Sequence, residues 1–173
     1  MIVDVVISPE RPDTPDARRL IDELDAHLGS RYPPSSRHAF SVDRLLEEGV
    51  EFFVLRAGDV PAACGGILFV DAAAADGGPY GEVKRMFVAP EFRGAGFGKQ
   101  ILARLADEAR ARSIDVLRLE TGIYQEEAIG LYERTGFRRT GPFGPYVDDP
   151  LCAYFEKHLG GRGAGQTSPA GEG

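Results

Sequence analysis

The chain has 173 residues, 43% of them apolar and 27% charged, and a formal net charge of −7. That length suggests one domain with a real core, and the composition is ordinary for a globular protein. The acidic balance repels a polyphosphate backbone, which sets nucleic acid aside as a main partner. Cys64 and Cys152 lie far apart, and His27, His38 and His158 show no metal-ligand spacing, so neither a disulfide framework nor a metal site is expected. No run of about 18 apolar residues is present, and MIVDVVISPE carries an early acid and no basic n-region. No membrane partner is expected, and a soluble cytoplasmic protein is the default.

Residues 1–8, MIVDVVIS, read as a strand. Thr14 before Pro15 opens a helix, as N-cap and first helical position. Ala17, Leu20, Ile21, Leu24 and Leu28 follow at helical spacing, and Gly29 closes the run. Residues 31–38 read as a loop. Ser41 caps a short helix through Glu48. Residues 51–70 read as two strands joined at Ala57–Asp59, where Gly58 and Asp59 supply turn chemistry. Residues 71–79 are a turn or short loop, and 81–89 a strand. An amphipathic helix is predicted over 98–112, with Ile101, Leu102, Leu105, Ala106 and Ala109 on its apolar face. A strand at 114–121, a helix at 125–135 closed by Gly136, and strands at 137–140 and 151–159 complete the domain. The last residues, 160–173, have almost nothing to bury and read as a disordered Gly-rich tail. The order predicts a mixed sheet with helices on both faces, in which the strand–helix–strand step at 81–121 joins parallel strands.

One stretch asks for more than packing. RMFVAPEFRGAGFGKQ, from residue 85, alternates Gly94, Gly96 and Gly98 between a strand and a helix start. The free amides of a helix entry attract anions, and glycines let a phosphate approach them. Arg93 and Lys99 add positive charge. A P-loop is excluded because Gly98-Lys99 is followed by Gln100, and a dinucleotide fingerprint because Lys99 stands where its last glycine belongs. Glu120, 24 residues beyond Gly96, is therefore set aside as a ribose partner.

What remains is R-x-x-G-x-G at Arg93, Gly96 and Gly98. With MFVAPEF before it, the stretch resembles the acyl-CoA loop of the GNAT family of N-acetyltransferases. QEEAIGLYERTGF, 125–137, resembles that family's second motif, a helix with a tyrosine shortly before Gly-Phe. The likeness spans roughly residues 50–158, and its C-terminal part is similar to the indole-acetate-type bacterial acetyltransferases.

The resemblance implies a single α/β domain over 1–159, with a mixed, mostly antiparallel central sheet and helices on both faces. It implies acetyl-CoA as co-substrate, a small amine or amino-acid-like acceptor, and a homodimer. A peptide or protein acetyltransferase and a CoA-binding sensor without turnover are the competing readings; Tyr132 and Glu82 favour an enzyme. By the same resemblance, Arg93, Gly94, Ala95, Gly96, Phe97, Gly98 and Lys99 hold the pyrophosphate. The backbone of Met86, Phe87 and Val88 pairs with pantetheine, and an amide near Val88 faces the oxyanion. Gln125 stands where many relatives carry an asparagine beside the pantetheine arm.

Tyr132 matches the tyrosine that faces the sulfur; its ordinary alternative is a core tyrosine beside Ala128 and Leu131. Glu82, 11 residues before Arg93, is the candidate base. Strand alternation puts Glu82, Lys84, Met86 and Val88 on one face and Val83, Arg85 and Phe87 on the other. Glu82 and Lys84 could then simply pair. Tyr124, Phe143 and Tyr146, with Arg31, Tyr32, Arg37 and His38, fall in segments that shape the acceptor side in relatives.

Overall fold

The computed structural model describes residues 2–71 and 77–160. A seven-stranded sheet in the order β1-β2-β3-β4-β5-β7-β6 carries helices on both faces. The strands are β1 (Val5–Pro9), β2 (Glu51–Ala57), β3 (Val60–Val70), β4 (Tyr80–Val88), β5 (Val116–Gly122), β6 (Arg138–Thr140) and β7 (Cys152–His158). The helices are α1 (Pro15–Gly29), α2 (Val42–Glu47), α3 (Phe97–Ala111) and α4 (Glu126–Arg134). Among the described residues only β4 and β5 pair in parallel, and every other ladder is antiparallel. The tail predicted at 160–173 lies outside the described residues beyond Gly160, and so does much of the turn predicted at 71–79.

The local chemistry explains the elements. The Thr14 hydroxyl accepts from the Ala17 amide at 3.2 Å and caps α1, and the Ser41 hydroxyl accepts from Arg44 at 3.2 Å and caps α2. Alternation along β2 sends Phe53 and Leu55 to the face covered by α3 and α4, and Phe52 and Val54 to the face covered by α1 and α2. On the first face Ile101, Leu105 and Ala109 of α3 pack on Ile67, Leu117 and Phe155. On the second, Leu20, Ile21 and Leu24 of α1 pack on Val54, Cys64 and Phe87. Among the described residues, no helix is long and apolar enough to cross a membrane.

Candidate active site

The site begins where the sheet forks. β4 and β5 pair at only two positions, Gly81 with Leu117 and Glu82 with Arg118. Both strands continue beyond that point, so their facing edges open into a cleft.

A bulge turns β4 away. The β3–β4 register slips between Cys64 and Gly66, so that Arg85 and Met86 together face Gly65. Arg85 takes φ 56°, a left-handed conformation that costs a residue with a side chain about 1–2 kcal/mol. Its guanidinium is tied to α1, through Asp25 Oδ1 at 2.5 Å and the Ile21 carbonyl at 3.4 Å. A Cβ at Gly65 would lie 2.7 Å from Ile101 and 2.9 Å from the Met86 sulfur, so only glycine leaves Met86 its place.

The bulge corrects the strict alternation expected for this strand. Met86 and Val88 join Val83 against the α3 core, while Glu82, Lys84, Arg85 and Phe87 face the α1 side. Phe87 also departs from its predicted role. The Ala89 amide donates to Ala62, so alternation along the ladder turns the Phe87 backbone to β3 and those of Met86 and Val88 to the cleft.

At the far end of β4 the chain makes a short 3-10 turn, Pro90–Phe92, and enters α3 through Gly96. Gly94 and Gly96 have φ +85° and +80°, which the left-handed region allows only glycine to adopt freely. The first helical bond runs from the Gln100 amide to the Gly96 carbonyl. The amides of Phe97, Gly98 and Lys99 precede it, in a first turn with no acidic residue. Gly98 does different work from its neighbours. It is buried, and a Cβ there would sit 2.7 Å from Leu131, so this glycine seats α3 against α4. Arg93 Nε donates to the Val88 carbonyl at 3.2 Å, bringing its guanidinium back to the cleft. The free first-turn amides, positive-φ glycines and flanking Arg93 and Lys99 are a fitting cradle for a pyrophosphate.

On the α1 side of the fork lies a cavity of about 310 Å³. Glu82, Lys84, Arg85, Met86, Glu120 and Gln125 line it, with Leu24, Leu28 and Phe40 as apolar wall. Tyr32, Arg37, His38 and Tyr146, expected on the acceptor side, line this cavity too. Arg31 and Tyr124 stand outside: Arg31 donates to the Tyr124 carbonyl, and the half-exposed Tyr124 ring stacks on Tyr32. Phe143 packs beneath, edge-on to Tyr80 and Tyr146.

Glu82 and Lys84 do pair. Both are buried, Lys84 Nζ lies 2.7 Å from Glu82 Oε1, and the Tyr146 hydroxyl donates to the same oxygen at 2.5 Å. Lys84 also donates to Tyr146 at 2.9 Å and sits 3.9 Å over the Phe40 ring. Burial, followed by the Glu82 charge, drives the Tyr146 hydroxyl far above its ordinary range. Tyr146 therefore stays a neutral donor.

Tyr132 is the one buried residue of α4, edge-on to Phe137 at 5.7 Å and tilted over Phe155 at 6.2 Å. Burial, then the charge of Glu120, raises its pKa well above the usual tyrosine value. The Gln125 carbonyl oxygen lies 3.1 Å from His27 Nε2, while its amide nitrogen is buried with no partner. An unpaired buried donor beside the cleft fits a role toward pantetheine.

Glu120 was set aside in the sequence, and the structure brings it into the cavity. Leu117 and Leu119 face the α3 core, so alternation turns Glu120 to the opposite side, just past the fork. Burial raises its pKa above the usual carboxylate value. The available signal was an acid on a strand whose Leu117 and Leu119 mark the opposite face as apolar.

The comparisons agree with this architecture. The model of the acetyltransferase (GNAT) family matches residues 17–137. The chain is 44% identical over 156 residues to an IAA acetyltransferase of Azospirillum brasilense, covering 90% of this chain and 99% of that protein. A structure described as an acyl-CoA N-acyltransferase of Klebsiella pneumoniae superposes with TM-score 0.71 at 32% identity, over 90% of this chain and 97% of that one. A GNAT family acetyltransferase of Elizabethkingia anophelis, solved with acetyl-CoA bound, superposes with TM-score 0.65 at 20% identity, over 90% and 98%. The motifs, the fold and these matches make the chain a member of the GNAT family of acetyltransferases.

Proposed function

We propose that the chain transfers the acetyl group of acetyl-CoA to the amine of a small molecule. The observation that carries this reading is the fork. β4 runs on without a strand partner on this edge where β5 departs, and the free amides of α3 lie at the end of the same strand. Acetyl-CoA supplies the thioester. Residues 93–99 bind its pyrophosphate, Met86 and Val88 offer backbone pairing along its arm, and Gln125 donates from the other side. The Val88 amide stabilises the developing oxyanion, a contribution of about 2.7–4 kcal/mol for a single donor in other enzymes.

Tyr132 gives a proton or a hydrogen bond to the departing thiolate. Its raised pKa keeps it protonated and ready to donate. Tyr132→Phe lowers turnover about 10²-fold or more and leaves acetyl-CoA affinity unchanged, because the ring and its aromatic contacts stay. Full activity in the variant shows Tyr132 to be a packing residue.

A small acceptor is favoured by the cover of the cavity. The His38 ring stands edge-on to Tyr146 at 5.7 Å and lies 3.7 Å from Asp149, which joins the 36–40 segment to the 141–151 loop across the acceptor side. A peptide needs an open groove there. Thiol release from acetyl-CoA is measured with primary amines and free amino acids against short peptides. Turnover with the small amines is expected; turnover with the peptides alone overturns the reading.

A further inference from the structure

His38, Asp149 and Cys152 stand far apart along the chain, and their spacing gives no sign of a joint role. Folding brings them together. A ring nitrogen of His38, a carboxylate oxygen of Asp149 and the sulfur of Cys152 all lie within 4.8 Å of one another. His38 Nε2 is 3.7 Å from Asp149 Oδ2, too far for a hydrogen bond. Among the described residues this buried nitrogen has no hydrogen-bond partner. An unpaired buried ring nitrogen calls for a partner.

The turn before β7 sets the other two donors side by side. The Cys152 amide donates to the Asp149 carbonyl at 3.0 Å, and the Leu151 amide donates to Asp149 Oδ1 at 2.9 Å. Oδ2 is left toward His38. Cys152 is buried, and both Glu120 and Asp149 lie within hydrogen-bonding reach of its thiol. Two acids thus flank one buried sulfur. The basic side chains of the adjoining cavity are already engaged, Lys84 with Glu82 at 2.7 Å and Arg85 with Asp25 at 2.5 Å.

We propose that His38, Asp149 and Cys152 bind a zinc ion, which clamps the two segments covering the cavity to the start of β7. The donor set selects the metal. Thiolate and imidazole suit Zn²⁺, whereas Mg²⁺ and Ca²⁺ call for oxygen ligands. Zinc bonds run about 2.0–2.2 Å to nitrogen and oxygen and about 2.3 Å to sulfur, so tetrahedral ligands stand about 3.3–3.6 Å apart. The His38–Asp149 separation is close to that spacing, and the widest gap in the group closes by at most about 1.5 Å. The charges balance too. The dication offsets the Asp149 carboxylate and the Cys152 thiolate, and the thiol proton leaves to solvent or to Glu120. Water or Glu120 takes the fourth position.

The place suits a clamp. His38 follows the short turn Pro34–Ser36, Asp149 lies in the loop before β7, and Cys152 is the first residue of β7. The ion ties all three, where a loose ion pair and an edge-on ring contact with Tyr146 otherwise join the cover. It stands beside the acetyl-transfer machinery, and its test needs neither acetyl-CoA nor an acceptor.

The full chain is freed of metal by dialysis against a chelator, and Zn²⁺ is titrated by calorimetry. Wild type is expected to bind one equivalent, to release a proton as it does so, and to melt higher with zinc in excess. Co²⁺ in place of zinc gives tetrahedral visible bands and a thiolate-to-cobalt charge-transfer band. That band is lost in Cys152→Ser. Cys152→Ser and His38→Gln, with circular dichroism matching wild type, weaken zinc binding at least about 100-fold, since even an outer-shell partner is worth about 10–100-fold. Hydrogen exchange over 36–40 and 141–151 slows when zinc is added to wild type, and does not slow in either variant. A wild-type chain that takes up no zinc overturns the site. So does a cobalt spectrum without the charge-transfer band, which places the ion elsewhere. Zinc that binds at Cys152 and leaves exchange in both segments unaltered overturns the clamp.

Discussion

Lys84→Met is expected to cost about 3–5 kcal/mol of stability, because it strands the Glu82 carboxylate in a buried site. For a chain of this length that lowers the melting temperature by roughly 6–20 °C. Adding Glu82→Gln to Lys84→Met restores most of the loss, since no buried charge is left without its partner. The cycle is read by thermal unfolding of the wild type, both single variants and the double variant. A double variant no more stable than Lys84→Met shows that the pair's packing, and not its charge, holds this part of β4.

Gly96→Asp is the largest expected loss of binding. The substitution places a carboxylate in front of the Phe97, Gly98 and Lys99 amides, where the pyrophosphate belongs. One added unit of repulsion near 4 Å is worth about 1–4 kcal/mol, so acetyl-CoA affinity falls between about fivefold and about a thousandfold. A Cβ at Gly96 meets nothing within 4 Å, and the fold bears only the strain of a side chain at φ +80°. Calorimetry that finds unchanged affinity removes the pyrophosphate from this loop. Gly98→Asp is not an equivalent test. Its Cβ meets Leu131 at 2.7 Å, so lost binding there is inseparable from a displaced α4.

Much of the fold was legible wherever chemistry is local. Thr14 and Pro15 open α1, Gly58 and Asp59 turn β2 into β3, and Gly136 follows the end of α4. The glycine-rich helix entry was legible because its glycines, its cation and its helix start are contiguous. Arg85 was not. Nothing in GEVKRMFV marks an arginine at positive φ, since its causes lie elsewhere: Asp25 and Ile21 on α1, and the missing side chain of Gly65, whose place Met86 and Ile101 fill. The alternation rule consequently placed Glu82 and Lys84 together correctly, then failed at the next residues. Tyr146 was foreseen as a wall, but not as a donor to Glu82, 64 residues away along the chain. Glu120 was judged against one ligand and dismissed; its neighbours come from elements that only folding assembles.

The fork in the sheet makes the co-substrate part of the protein's architecture. Past Glu82, the ladder between β4 and β5 lacks its rungs, and in the proposed binding mode a guest lying along Met86 and Val88 supplies them from outside the chain. Such a guest binds the folded chain and not the unfolded one, so it adds about 2.7 kcal/mol of stability at a hundredfold excess over its Kd. The supply of acetyl-CoA then governs how fast the enzyme turns over and also how much of it stays folded. A cell short of the coenzyme loses catalyst as well as substrate.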